Sequence, residues 1–498
     1  MSNLAANLIR SAERSANRVA IRLDDAELTY AQLEHASQLA VGLLAEHGVH
    51  RGDRVGIMVP NVPQWAVLYY GALRAGAVAI PMNPLLKERE IAFCLRDSGA
   101  RVIFVWDAFK EEAEAGAKLT GAEAVTVDPA GFQQLLTAAS AVDGMVECDG
   151  SETAVILYTS GTTGQPKGAE LSHANLGRNA AVVVEDLLDL TSEDIVFGGL
   201  PLFHVFGQTC GLNASVVAGA CLTLLPRFDP SKALEILARD HVTVFEGVPT
   251  MYGALVHHPD WAKFDLSALR LCVTGGSAMP VEIMRGFERN FGCSVLEGYG
   301  LTETSPVASF NHPDRPSKPG SIGTPIRGVE MRVVDDQDNE LPAGEIGEIV
   351  IRGHNVMKGY WKNTEATEAA MRGGWFHSGD LARTDEDGYY FIVDRKTDMI
   401  IRGGYNVYPR EVEDVLYEHP AVAEVAVIGV PHPELGQEVG AAIKLKPGAT
   451  ASADELRDFV KGQLAAYKYP RYVQLFDALP KGPTEKILKR QIILDTDG

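Results

Sequence analysis

Basic residues are scarce in this sequence of 498 residues. Lys and Arg number 45 against 66 Asp and Glu, a net charge of -21 at pH 7. So acidic a chain is no general ligand for nucleic acid, although a local basic groove for an anion is still allowed. Cysteines number six (94, 148, 210, 221, 272 and 293) and form no C-x-x-C or other ligand spacing. That excludes a metal or disulfide framework and suits small apolar residues in a reducing compartment. No run reaches the ~18 apolar residues of a membrane-spanning helix. Residues 1–10 are too polar for a signal peptide, and the final residues 495–498 match no peroxisomal address. The expected location is the cytoplasm. A Walker A loop is also missing: Gly164 is followed by Gln165, and Lys167 by Gly168, where G-x-x-x-x-G-K-[ST] is required.

What is present is an ordinary globular composition, 46% hydrophobic and 22% charged, in a length that implies two to four domains. Thr29 and Gln32 form a capping-box signature before a helix that ends near Gly48. Strand patterns at 54–59 and 76–80 flank a helix pattern at 62–75, so the first 105 residues read as a layered α/β unit with a largely parallel sheet. Residues 106–150 read as helices and surface loops. A helix starts at Ser172. Strands at 242–245 and 269–273 each open into a glycine-containing turn, where ligands of open α/β sheets sit. From about 318 to 394, short strand-like runs separated by Gly, Asp and Pro form a small β-rich subdomain. Beyond it a separate α+β unit follows: helix 409–418, strands 422–430 and 439–445, helix 453–466 and strand 472–476.

The central stretch is Tyr158-Thr-Ser-Gly-Thr-Thr-Gly-Gln-Pro-Lys-Gly168, preceded by a buried-strand pattern from Thr153. Small, hydroxylated and glycine residues let backbone N–H groups approach an anion, and Lys167 adds a point charge, so the expected ligand is a polyphosphate. Alone, such a loop also reads as a plain surface turn. A second string, Gly298-Tyr-Gly-Leu-Thr-Glu-Thr304, offers backbone for a flat ligand, a tyrosine for stacking and Glu303 as a hard oxygen ligand for Mg²⁺. Alone it is equally a turn with a solvated glutamate.

Together these strings resemble the adenylate-forming superfamily of acyl- and aryl-CoA ligases, luciferases and peptide-synthetase adenylation domains. The similarity runs from about residue 15 to 490. It looks closest to the bacterial medium- and long-chain fatty acid–CoA ligases, and next to 4-coumarate–CoA ligases. It implies a large N-terminal domain, residues 1–394, made of two α/β subdomains and a β-rich one. A small mobile α+β domain, 395–498, would turn on a hinge at 395–398, where Thr397 stands in place of the family's usual Asp or Lys.

The resemblance also implies roles. ATP would be held by Thr159, Ser160, Gly161, Thr162, Thr163, Gly164 and Lys167, by Gly275, Gly276 and Ser277, and by Gly298, Tyr299 and Gly300. Asp380, in Gly374-Trp-Phe-His-Ser-Gly-Asp380, and Arg395 would take the ribose. Mg²⁺ would lie on Glu303 and Thr159. Lys486, Thr302 and His204 would serve the chemistry, with His204 equally readable as a packed core histidine. Gly403, Gly404 and Tyr405 resemble the segment that lines a coenzyme A tunnel.

The implied acyl pocket (His204, Phe206, Cys210, Gly247, Val248, Gly275 to Ser277, Gly298, Pro306, Val307) is apolar or small. It suits a hydrophobic acid, aliphatic or aromatic. The implied partners are therefore a small carboxylic acid, ATP and CoA. Transient contact with a membrane surface and a homodimer are both compatible. One position departs from the family: Glu485 stands where glycine usually precedes the lysine. A glutamate there strains the turn if φ is positive, or draws Lys486 from the phosphate by pairing with it, and either would attenuate the first half-reaction.

Overall fold

Helix Pro63–Arg74 is apolar on every side, and Trp65 through Arg74 are all buried. A helix of that kind belongs between layers rather than on a surface. In the computed structural model, which describes residues 3–159 and 165–495, it packs with Tyr30–Glu46 inside one continuous core shared by two α/β sheets. Trp65 stacks on Tyr69 with ring centroids 5.0 Å apart. Arg74, the helix's one charge, is neutralised where it lies, 2.6 Å from Glu34. Helix Tyr30–Glu46 begins at the Thr29–Gln32 capping box expected from the sequence.

The first sheet has seven strands. Thr153–Thr159, Val78–Pro81, Arg54–Met58, Val102–Trp106 and Glu123–Val127 run parallel, in that order. The 106–150 region thus holds a strand, Glu123–Val127, as well as its two helices; with one exposed edge it has little hydrophobic signal. Lys167–Ser172 is also a strand. It returns antiparallel along Thr153–Thr159, pairing Thr159 with Lys167. The glycine-rich stretch therefore joins two strands of a hairpin. Ser172 then caps the next helix, His173–Val182, through the Asn175 N–H, and a wider-turned segment, Val183–Leu187, continues it.

The second sheet has nine strands. Its parallel centre, Val295–Gly300, Leu271–Thr274, Val244–Gly247, Ile195–Gly198 and Cys221–Leu224, brings several carboxyl ends together. The β-rich subdomain is antiparallel: Val329–Val334, Gly347–Gly353, Trp375–Thr384 and Tyr390–Arg395. Its last strand pairs Arg395 with Asp380, so the domain boundary expected at 394/395 falls on the strand's final residue. The C-terminal unit has its own core (Ile400, Val412, Leu416, Val427, Ile443, Leu456). Its second helix, Ala453–Lys461, stops at Gly462, several residues short of the expected 466.

Gly298 and Gly300 owe their identity partly to packing. A Cβ on Gly300 would stand 2.0 Å from the Pro306 carbonyl oxygen, and one on Gly298 2.7 Å from the Phe310 ring. The space expected to admit a flat ligand is, on that side, filled by the neighbouring strand Val307–Phe310. Gly300→Ala should therefore destabilise the nucleotide-free protein by about 1–3 kcal/mol, seen as a lowered melting temperature. Unchanged stability with impaired ATP binding would assign Gly300 to the ligand alone.

Candidate active site

Asp380 lies on strand Trp375–Thr384 and is 5% exposed. Its two carboxylate oxygens are held from two directions. The Tyr299 hydroxyl donates to one at 2.7 Å, and the Arg395 guanidinium donates to the other at 3.1 Å. Tyr299 comes from the end of the nine-stranded sheet and Arg395 from the β-rich subdomain. Burial raises the Asp380 pKa despite Arg395 and Tyr299, which favour the charged form. Tyr299, expected to stack on a purine, is therefore also a hydrogen-bond donor that fixes the acid. Each carboxylate oxygen retains a lone pair for a vicinal diol.

Lys486, from the C-terminal domain, lies within electrostatic range of this acid. A Cβ on Gly276 would lie 3.1 Å from its Cε and 3.4 Å from its Nζ. Gly276 has φ +83°, so glycine there serves both the turn and the passage of the lysine. Burial, then Arg395, lowers the Lys486 pKa to about 8, with Asp380 opposing. The loop that carries it is closed by Gly482 N–H to Lys486 O at 2.8 Å and Glu485 N–H to Gly482 O at 2.9 Å. It is tied to the N-terminal domain by the Thr250 hydroxyl, which donates to the Glu485 carbonyl at 2.7 Å.

Glu485 has φ +59°, in the left-handed region the sequence departure pointed to. Its carboxylate does not pair with Lys486. It lies 4.0 Å from Lys481, so the expected diversion of Lys486 by its neighbour is overturned.

His204 stands near enough to feel the lysine. Burial and then Lys486 push its pKa down to about 3, so it is neutral. Its Nδ1 accepts from the Phe206 N–H at 3.3 Å, which leaves the proton on Nε2, free to donate. Gly275 is demanded by its surroundings: a Cβ there would meet the Gly298 carbonyl at 3.2 Å and the Phe206 ring at 3.4 Å. Ser277 is exposed. Cys210, Val248 and Val307 are buried in the two apolar clusters that Phe206 packs against, which makes an apolar wall on that side.

A second group continues the site. Glu303 sits in the short turn Thr302–Thr304. Burial raises its pKa, and both Arg395 and Asp380 act on it electrostatically. The Tyr360 hydroxyl donates to Glu303 at 2.9 Å, and the Lys167 amine lies 5.2 Å from the centre of the same ring. Tyr360 thus links the lysine of the hairpin to the acid. Sequence reasoning missed it, because Tyr360 lies nearly two hundred residues from Lys167 and belongs to no glycine-rich string. Its strand, Gly359–Tyr360, joins the seven-stranded sheet beside Lys167–Ser172. Thr159 donates weakly to the Lys167 carbonyl at 3.4 Å. Ser160, Gly161, Thr162, Thr163 and Gly164 lie outside the described residues. Among the described residues no three acids, histidines or cysteines converge as a metal cluster. Glu303 alone therefore suits a Mg²⁺ that arrives with phosphate oxygens as its other ligands.

Gly403 and Gly404 are not beside Lys486. They form the two-residue turn of hairpin Ile400–Arg402/Tyr405–Val407, with φ +55° and +85°, values that call for glycine. Tyr405 stacks on Tyr467 at 4.7 Å within the C-terminal domain.

Comparison with known proteins gives the family and the fold. The AMP-binding enzyme family matches residues 8–361, and the AMP-binding enzyme C-terminal domain matches 411–486. A long-chain-fatty-acid–CoA ligase of Bacillus subtilis is 37% identical, over 98% of this chain and 93% of its own. A feruloyl-CoA synthase of an Amycolatopsis species is 40% identical over 97% of both. The solved structure of an anthranilate CoA ligase with anthranoyl-AMP superposes with a TM-score of 0.93 at 32% identity, covering 98% of this chain and 96% of its own.

Two outcomes are expected. Because the Lys486 amine loses its proton above about pH 8, kcat/KM for adenylate formation should fall above that pH. Lys486→Arg, charged throughout, should flatten the profile, and Lys486→Ala should lose about 10²–10³-fold in rate. Glu485→Gly removes a left-handed side chain worth about 1–2 kcal/mol of strain, partly offset by glycine's freedom when unfolded. It should leave stability level or slightly raised in denaturant titration, with pyrophosphate release no slower than wild type. A slower release would mean that Glu485 positions the loop.

Proposed function

The chain belongs to the AMP-binding enzyme family and is an AMP-forming acid–CoA ligase, and from that premise we propose that it activates a hydrophobic carboxylic acid, a fatty acid first of all, at the site around Lys486. The observation that carries this reading is the Lys486 amine beside Asp380, Arg395 and neutral His204, next to an apolar wall. An aryl acid is the second reading. It is favoured by similarity to a feruloyl-CoA synthase and an anthranilate CoA ligase. A catalytically attenuated relative, suggested by Glu485, loses the pairing with Lys486, because the glutamate points to Lys481, and keeps the left-handed strain of its φ of +59°.

In the first half-reaction an oxygen of the acid bonds to the α-phosphorus of ATP, and the bond to pyrophosphate breaks. Charge gathers on the α-phosphoryl oxygens. The Lys486 ammonium, held there without water to reorganise, stabilises it. The Nε2–H of His204 orients the acid's carboxylate. Asp380, fixed by Tyr299 and Arg395, accepts the ribose hydroxyls. Lys167 faces the polyphosphate, and Glu303 with Thr159 would hold Mg²⁺, which neutralises phosphate charge when bound. Thr302 lines the same turn.

The second half-reaction needs a thiol where the lysine loop now stands. The C-terminal domain therefore turns about 395–398, withdraws Lys486 and presents Gly403, Gly404 and Tyr405 to the pantetheine arm. The CoA sulfur then bonds to the acyl carbon, the bond to AMP breaks, and the thiol proton leaves to solvent.

Purified protein with Mg·ATP should release pyrophosphate with octanoate or palmitate, and AMP with acyl-CoA once CoA is added. A signal confined to 4-coumarate or benzoate selects the aryl reading. ADP in place of AMP would overturn the mechanism.

A further inference from the structure

Glu246 is a carboxylic acid in a place built for apolar groups. It lies on the central strand Val244–Gly247, between Val244 and the pocket residues Gly247 and Val248, and is 1% exposed. Neither of its oxygens has a hydrogen-bond partner among the described residues. It faces the wide-turned helix Gly207–Asn213, which carries the pocket residue Cys210. Burial first, and then the nearness of Glu246, raises the Cys210 pKa well above the usual thiol value. On the same helix a Cβ at Gly211 would meet only Glu246 Oε2, at 3.7 Å, and Leu222, at 3.9 Å, so a bare glycine faces the acid. That helix also carries Gln208, fully buried, and Thr209; among the described residues neither amide atom of Gln208 nor the Thr209 hydroxyl has a partner. Buried hydrogen-bonding groups are normally paired, and each that is not needs a reason. Wide helical turns of this kind concentrate at functional sites.

We propose that Glu246 reads a hydroxyl group at the end of the acyl substrate remote from its carboxylate, so that the preferred acid is a hydroxylated one. The proposal rests on the acid–CoA ligase reading and on the pocket assigned to it, and it narrows the substrate class. His204 and Lys486 take one end of the substrate. The strand and helix lead from there past Cys210 to Glu246. Burial pushes the Glu246 carboxyl up to about 8, so at neutral pH it is a neutral acid that both donates and accepts. A hydroxyl does the same, and so completes both of its hydrogen bonds. A purely aliphatic tail would leave the acid, already stripped of water, without a partner, and a site built around a polar group rejects the analogue that lacks it.

The test compares kcat/KM for acid pairs that differ by one hydroxyl: 4-hydroxycinnamate against cinnamate, and 16-hydroxypalmitate against palmitate. AMP release with CoA is the readout, and each pair represents one possible carbon skeleton. Wild type should favour the hydroxylated member of one pair at least about tenfold. Glu246→Leu should erase that preference while leaving turnover of the plain acid equal or better. Glu246→Gln, which keeps a donor and an acceptor, should retain most of it. Gly211→Ala, whose methyl meets only ordinary contacts, should fold whatever becomes of Glu246→Leu, and should lower kcat/KM for the hydroxylated acid at least about tenfold. Turnover without discrimination in wild type, or an unchanged ratio in Glu246→Leu, overturns the proposal and leaves the ligase reading intact. So does a 4-aminocinnamate preferred over the hydroxy acid, since that would demand a charged carboxylate. Silence with every acid overturns the ligase reading and this one with it.

Discussion

Asp380 draws three parts of the chain to one point. Tyr299 arrives from the end of the nine-stranded sheet, Arg395 from the last strand of the β-rich subdomain, and Lys486 from the C-terminal domain. A carboxylate removed from water is tolerated only with such donors around it. That need makes the subdomains mutually dependent. Tyr299 lies at the carboxyl end of strand Val295–Gly300, and Arg395, which pairs with the same acid, is the last residue of strand Tyr390–Arg395 before the C-terminal domain. The lysine is the most labile of the three contributors, since burial and Arg395 both disfavour its charge.

The domain contact is largely polar: the Arg410 guanidinium donates to the Ile392 carbonyl at 2.7 Å and to the Gly320 carbonyl at 3.4 Å. Beside the Lys486 loop, the Thr250 hydroxyl bonds to the Glu485 carbonyl, while the C-terminal core shares no residues with the N-terminal one. Two cores that share no residues and meet through polar contacts can separate without unfolding either. The glycines of the two-residue turn at Gly403 and Gly404 are required by the hairpin, with φ +55° and +85°.

The elements legible in the sequence were those with strong local signals. The Thr29 capping box, the apolar helix Pro63–Arg74, the Ser172 cap and helix Pro409–Glu418 all follow from periodicity and capping chemistry. Those it hid depend on distant partners. Strand Lys167–Ser172 looks like the tail of a loop until Thr153–Thr159 pairs with it. Strand Glu123–Val127 is a half-exposed sheet edge. Tyr360 carries no signal until two residues of strand place it between Lys167 and Glu303. Glu246 reads as one more charge beside a pocket string, and only its burial without a partner among the described residues makes it unusual.

The sequence by itself determined the local chemistry: strands that end in glycine, a lysine after a departing glutamate, acids and hydroxyls at turn positions, and a resemblance carried by short contiguous strings. Those are properties of neighbours along the chain. Tertiary structure decided what is shared between segments. It set the left-handed turn that sends Glu485 toward Lys481, the tautomer of His204, the burial that shifts Lys486 and Glu246, and the assignment of the Gly298 and Gly300 spaces to Phe310 and Pro306. Each depends on which atoms exclude water from a group and which donors face it, and those atoms come from residues far away in the chain.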